Sequence, residues 1–184
     1  MINIKKLINQ IFITAIVILI IGIIKAEIIL NSATLDNSNL VRIGSYTTLG
    51  IGTFFFSILL ILSVSASHLI SGIFKEKAAT LKAFKRASTV LIYTFLVGEL
   101  SKFIITVIYS TKIKNISSEV ELVSIIGNES SFKFLNSLSD ILFASIGIIL
   151  FILILKKNDE NLNYSRSIAY ATPFVFCFLV MHFV

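Results

Sequence analysis

Three ionisable side chains stand where the chain is otherwise apolar: Glu99 and Lys102 interrupt the run 87–109, and Asp140 lies in the first half of 134–155. Charges inside apolar segments are costly unless paired, so such positions mark either a clamp between helices or a site that handles a proton or a charged solute. Glu99 precedes Lys102 by three residues, which places both on one helix face a turn apart. Counted from the ends of their runs, Lys102 lies about seven residues deep and Asp140 about six, near 10 Å at a rise of about 1.5 Å per residue, so an antiparallel pair would bring them level. One ammonium then serves two carboxylates. If all three ionise, the cluster carries one uncompensated negative charge, which protonation of a carboxyl would relieve.

His68 is the other candidate. It falls about six residues from the end of the run 49–74, near 9 Å deep, as a hydrogen-bonded interhelical residue or as a proton or ligand site that needs a carboxylate partner. His182, near the end of the last run, reads as interfacial. The chain has no His-Glu-x-x-His, Cys-x-x-Cys or Gly-x-Ser-x-Gly, and Gly50-Ile51-Gly52 is followed by Phe55 where a phosphate-binding fingerprint needs glycine. The lone cysteine, Cys177, can form no internal disulfide and sits in an apolar run as a packing residue. The expectation is a protein that is not an enzyme and uses no cofactor or metal.

The elements that must position these residues follow from composition. With 56% hydrophobic and 14% charged residues and a mean hydropathy of +0.95, the chain is too apolar for one water-soluble core, and a bilayer is its expected solvent. Five apolar segments, 7–24, 49–74, 87–109, 134–155 and 167–184, each approach the roughly 20 residues that cross about 30 Å of hydrocarbon. The predicted class is all-α: a single polytopic membrane domain of five transmembrane helices over 1–184. Lys5 and Lys6 before 7–24 would suit a signal peptide, but the length of the run and the lack of a small-residue cleavage pair favour a first membrane helix.

Between these spans, 25–48 reads as a polar connection, with Asn31, Asn37 and Asn39 giving it loop character. Ser63, Ser67 and Ser71 recur every four residues and form a small-residue face suited to packing on protein: a neighbouring helix, a protein partner or a second copy. In the loop 75–86, Phe74, Ala78, Leu81 and Phe84 recur at helical spacing beside Lys75, Lys77, Lys82, Lys85 and Arg86, as in a short interfacial helix or a solvated turn whose charges contact lipid headgroups. Ser118 to Glu121 has capping-box spacing and predicts a short surface helix to about Ile126, stopped by Gly127. Pro173 sits inside the last span, where neighbours must satisfy the carbonyl it frees.

The formal charge of +6 does not point to nucleic acid, because the basic residues sit in short loops beside apolar runs, where anionic headgroups attract them. Basic residues number 2, 2, 5, 3 and 3 from the N-terminus through the fourth loop, so the 75–86 loop sets the orientation: N-terminus cytoplasmic, C-terminus outside. Abundant Ile, Lys and Asn without Trp suggest an AT-rich bacterial source, and hence the plasma membrane.

The stretch Ser65-Ala66-Ser67-His68-Leu69-Ile70-Ser71-Gly72, the basic loop through Arg86 and the segment from Ala87 to Tyr93 resemble the central part of the Yip1 family. The run 134–155, its short polar turn and the last span are similar to that family's final hairpin, and the match of spans and small residues extends over about two thirds of the chain. The resemblance implies five spans, a cytoplasmic N-terminus and a non-enzymatic membrane protein. Eukaryotic members of the family work in vesicle traffic with Rab GTPases, and bacterial members are mostly of undefined role. This sequence has no Asp-Leu-Tyr-Gly-Pro type motif and few residues before its first span, so only the architecture carries over.

Two functions are expected to compete. One is a scaffold or interaction protein of a bacterial plasma membrane. The other is a small-solute transporter, or the substrate-binding subunit of a multi-component transporter. Such subunits usually have six spans and an Ala-x-x-x-Ala face that the first span here lacks.

Overall fold

Thr80 begins the segment on which the rest of the bundle closes: its extended backbone and side-chain oxygen, which accepts from the Ala83 amide, start a helix that runs unbroken to Ser110. The structure is a computed structural model that describes residues 4–33, 38–74, 79–112, 122, 130–160 and 162–183. It contains five membrane-length helices: α1 (Ile4–Ser32), α2 (Ser38–Phe74), α3 (Leu81–Ser110), α4 (Ser130–Asn158) and α5 (Tyr164–Phe183). All five are long and apolar enough to cross a membrane, and no strand occurs among the described residues. The chain is an all-helical, multi-pass membrane protein.

Two boundaries differ from the sequence reading. The connection expected over 25–48 is mostly helix, because α1 continues to Ser32 and α2 already starts at Ser38. The polar side chains there pair with one another across α1 and α2: Arg42 Nε lies 3.3 Å from Glu27 Oε1 as an ion pair, Arg42 Nη2 donates to Asn31 Oδ1 at 2.7 Å, and the Tyr46 hydroxyl donates to Glu27. With 37 residues, α2 is roughly 55 Å long and overruns the hydrocarbon thickness.

The second difference is at 81–86. Lys82, Lys85 and Arg86 form no separate interfacial helix or turn but belong to the first turns of α3, because Ala83, Phe84 and Ala87 are buried in the core and hold that segment in line with the span. Lys75 and Lys77 lie outside the described residues, as does the helix expected over 118–126 apart from Leu122, which is helical and buried.

Neighbours close into a ring: α1 packs on α2 and α3, α3 on α4, α4 on α5, and α5 returns to α2. We call the end with Lys5, Lys6 and the α2–α3 and α4–α5 connections the basic end, and the other the distal end. The main core fills the basic half. Phe84 stands perpendicular to Phe151 at 6.1 Å between ring centroids and lies 6.1 Å from Tyr170, and Phe151 lies 5.1 Å from Phe174. Leu7, Ile11, Leu60, Val64 and Leu155 surround these rings, and Cys177 packs there too.

Polar caps seal that end. The Thr80 amide donates to buried Asp159 at 2.5 Å, the Ala79 amide donates to the Tyr170 hydroxyl at 3.0 Å, and Arg86 donates to Asn158 at 3.1 Å. The serine face of α2 is used inside the chain: Ser67 Oγ donates to the Tyr170 carbonyl at 2.8 Å and Ser63 Oγ to the Pro173 carbonyl at 3.1 Å, which ties the proline-bearing stretch of α5 to α2. On α3 and α4 two glycines permit close approach. A Cβ at Gly147 would collide with Thr94 Oγ1, and one at Gly98 would lie 3.2 Å from Phe143 Cβ.

Candidate functional site

The α3–α4 contact set by these glycines brings the intramembrane charges together. Lys102 Nζ lies 2.8 Å from Asp140 Oδ1 and also contacts Glu99, the residue one turn below it on α3. A fourth member comes from α1: Lys25 Nζ lies 2.8 Å from Glu99 Oε2. The groups form an alternating chain, Lys25, Glu99, Lys102, Asp140, that crosses three helices. This corrects the expected charge balance. With Lys25 present the set holds two cations and two anions and sums to zero.

Lys25 was missed because 25–48 reads as a loop when each Asn and each charge is counted as a solvent signal. The apolar residues Ile28, Ile29 and Leu30 beyond it were the usable sign that α1 continues. Reckoned from Arg86, the last charge before the apolar part of α3, Glu99 and Lys102 lie 13 and 16 residues on, about 20 and 24 Å. The chain of charges therefore sits past the middle of a ~30 Å hydrocarbon layer, toward the distal end.

A cavity of about 330 Å³ lies against it, lined by all five helices. Ile18 and Gly22 of α1, Phe56 of α2, Phe95 of α3, Phe143 of α4 and Phe178 of α5 make much of its wall, and Lys25, Glu99, Lys102 and Asp140 supply its ionic side. A second cavity, of about 600 Å³, extends toward the distal end between α1, α2 and α4, past Leu30, Val41 and Asn136. Gly22, Lys25, Leu49, Lys102 and Asp140 line both. The ion pairs thus form the boundary between an inner and an outer space.

The chain matches no family model, no curated protein and no solved structure. Its site therefore has to be read from its own side chains.

The other candidates are placed as follows. His68 is half-buried, with its ring 6.2 Å from that of Phe84, and it makes no hydrogen bond among the described residues, so the expected interhelical hydrogen bond is replaced by an aromatic contact. It lies in the basic half, away from the ionic chain. His182 stacks on Phe178 at 5.7 Å and joins the cavity wall near its distal rim. Lys82 and Arg86 are exposed at the basic end and Lys85 is half-buried. Among the described residues no three His, Cys, Asp or Glu side chains group as metal ligands.

Chemically, the set can hold charge, exchange one ion pair for another, and orient a dipole.

Proposed function

We propose that this is a non-enzymatic membrane protein of the transport class, a small carrier or the substrate-binding subunit of a multi-component transporter, that takes a small polar solute into the five-helix cavity. One observation carries the reading: a single cavity walled by every helix has four ionisable side chains on one side. Intramembrane charges facing a cavity mark solute and ion pathways. The outer space would be the entrance, the ionic boundary the first barrier and the aromatic core of the basic half the second. In this reading the plasma membrane of a bacterium is the site of action, with the basic end cytoplasmic, as the excess of Lys and Arg there favours.

Gly52 provides a test. It is an exposed residue on the cavity rim, and a Cβ added there meets no atom within 4 Å, so Gly52→Phe brings a bulky ring to the rim with room for its first carbon. A solute that raises the melting temperature of the purified wild type but not of Gly52→Phe supports the proposal. A broad panel of small solutes with no effect on either overturns it. Orientation is tested separately with single cysteines at positions 36, 78 and 125 in a Cys177→Ser background, labelled in intact cells with an impermeant reagent. Positions 36 and 125 should react and position 78 should not.

The second reading is a membrane scaffold of the Yip1 kind, favoured by the exposed cations Lys82 and Arg86 beside the capped α2–α3 and α4–α5 connections. A partner or second copy would have to use a face other than Ser63 and Ser67, which α5 already covers. Co-purification of a soluble protein in mild detergent, lost when Lys82 and Arg86 are neutralised, would favour it.

A further inference from the structure

We infer that the solute is a zwitterion with an apolar body, of the α-amino acid type, whose carboxylate meets Lys25 and whose ammonium meets Asp140; this rests on the reading of the cavity as a solute site. The order of the charges is the starting point. Glu99 and Lys102, the inner members of the chain, each have two partners of opposite sign, whereas Lys25 and Asp140 each have one. An ammonium offers three donors and a carboxylate about four acceptor positions, so the two end groups keep capacity that no other described side chain uses. They are the two ends of a run of three contacts, Lys25–Glu99, Glu99–Lys102 and Lys102–Asp140.

Access agrees with this. The Asp140 side chain is 40% accessible, against 17 to 18% for the other three, and both Lys25 and Asp140 line both cavities. The site thus presents one cationic and one anionic terminus to the same space.

Charge balance selects the ligand class. The four groups already sum to zero, so a solute with a net charge brings an uncompensated ion into a wall that is otherwise mostly apolar, with Thr48, Thr53 and His182 as its remaining polar side chains. A zwitterion adds none and caps both termini. Ile18, Leu49, Phe56, Phe95, Phe143 and Phe178 then surround its apolar part. A volume near 330 Å³ lies at the small end of ligand pockets and suits a single amino acid better than a large cofactor. A lipid headgroup that joins an ammonium to a phosphate offers the same pairing, and the two sources are separated by experiment.

The test uses the purified full-length protein in detergent and equilibrium binding of phenylalanine, phenethylamine and phenylpropionate, which share one ring and differ in charge. A parallel arm compares mixed micelles of phosphatidylethanolamine and phosphatidylglycerol. Phenylalanine should bind at least tenfold more tightly than either singly charged analogue, and Asp140→Asn or Lys25→Gln should each remove most of that preference. Selective stabilisation by phosphatidylethanolamine, without phenylalanine binding, supports the same pairing with a lipid as its source. Equal or tighter binding of phenethylamine or phenylpropionate overturns the zwitterion and leaves the solute site standing. If none of the probes binds, and no other solute does either, both fall. The analogue series is measured on the wild type, so the result does not depend on either variant folding.

Discussion

The two halves of the ring are built from the same five helices and solve opposite problems. In the basic half, Phe84, Phe151, Tyr170 and Phe174 meet at 5.1 to 6.1 Å and leave the axis filled. In the distal half the aromatic residues Phe56, Phe95, Phe143 and Phe178 stand around a cavity, with an ionic chain on one side. The difference teaches where stability and function are separated. A tightly packed half can tolerate little change in volume, whereas a half that already holds space can lose a side chain at small cost.

The largest expected effect follows. Phe151 is fully buried between Phe84 and Phe174, so Phe151→Ala should lower unfolding stability by about 3–5 kcal/mol. Phe143→Ala, on the cavity wall, should cost less than half as much. Chemical unfolding of both variants in one detergent compares them. Equal losses would mean that the distal half is packed as tightly as the basic half, and the contrast would fail.

Next in size is the ionic chain. Lys102→Met removes the cation shared by Glu99 and Asp140; a fully buried pair broken in this way costs about 3 kcal/mol, and with Asp140 40% accessible the loss should fall below that figure. Glu99 retains Lys25, so the stranded group is Asp140, and Lys102→Met with Asp140→Asn should recover more than half of the loss. Failure of that rescue would show that Asp140 does not depend on Lys102. Glu99→Gln separates clamp from site: a variant that is fully stable yet binds no solute assigns the carboxylate to function. At the basic end, Thr80→Ala should cost about 1 kcal/mol through loss of the cap of α3.

Much of this arrangement was legible in the sequence because a bilayer imposes simple rules. Five runs of membrane length had to be helices, and Glu99 and Lys102, three residues apart on one span, had to share a face. What could not be read was how far the helices extend past their apolar cores. Lys25, Glu27, Arg42 and Tyr46 look like loop residues one by one, and only pairing across helices makes them helical; that pairing is a tertiary fact with no local signature. The same applies to Asp159, which counts as a loop acid in the sequence and is buried against the start of α3.

The smallest expected effect tests how the halves are joined. Ser67 Oγ donates to the Tyr170 carbonyl and Ser63 Oγ to that of Pro173, so both hydroxyls hold the proline-bearing stretch of α5 to α2. Interhelical hydrogen bonds of this kind in membrane proteins contribute about 0.6 kcal/mol on average. Ser67→Ala should therefore lower stability by about that amount, and Ser63→Ala by less, because Ser63 also bonds the Leu59 carbonyl of its own helix. Thermal unfolding of the two single variants and the double variant measures this. Additive small losses would make the serines secondary to the close packing that their size allows. A loss above about 2 kcal/mol for Ser67→Ala would mean that the bond to the Tyr170 carbonyl contributes well beyond the ordinary interhelical value. In that case the hydroxyl, not the small volume, fixes α5 beside the aromatic core, and Ser67→Gly should be as damaging as Ser67→Ala.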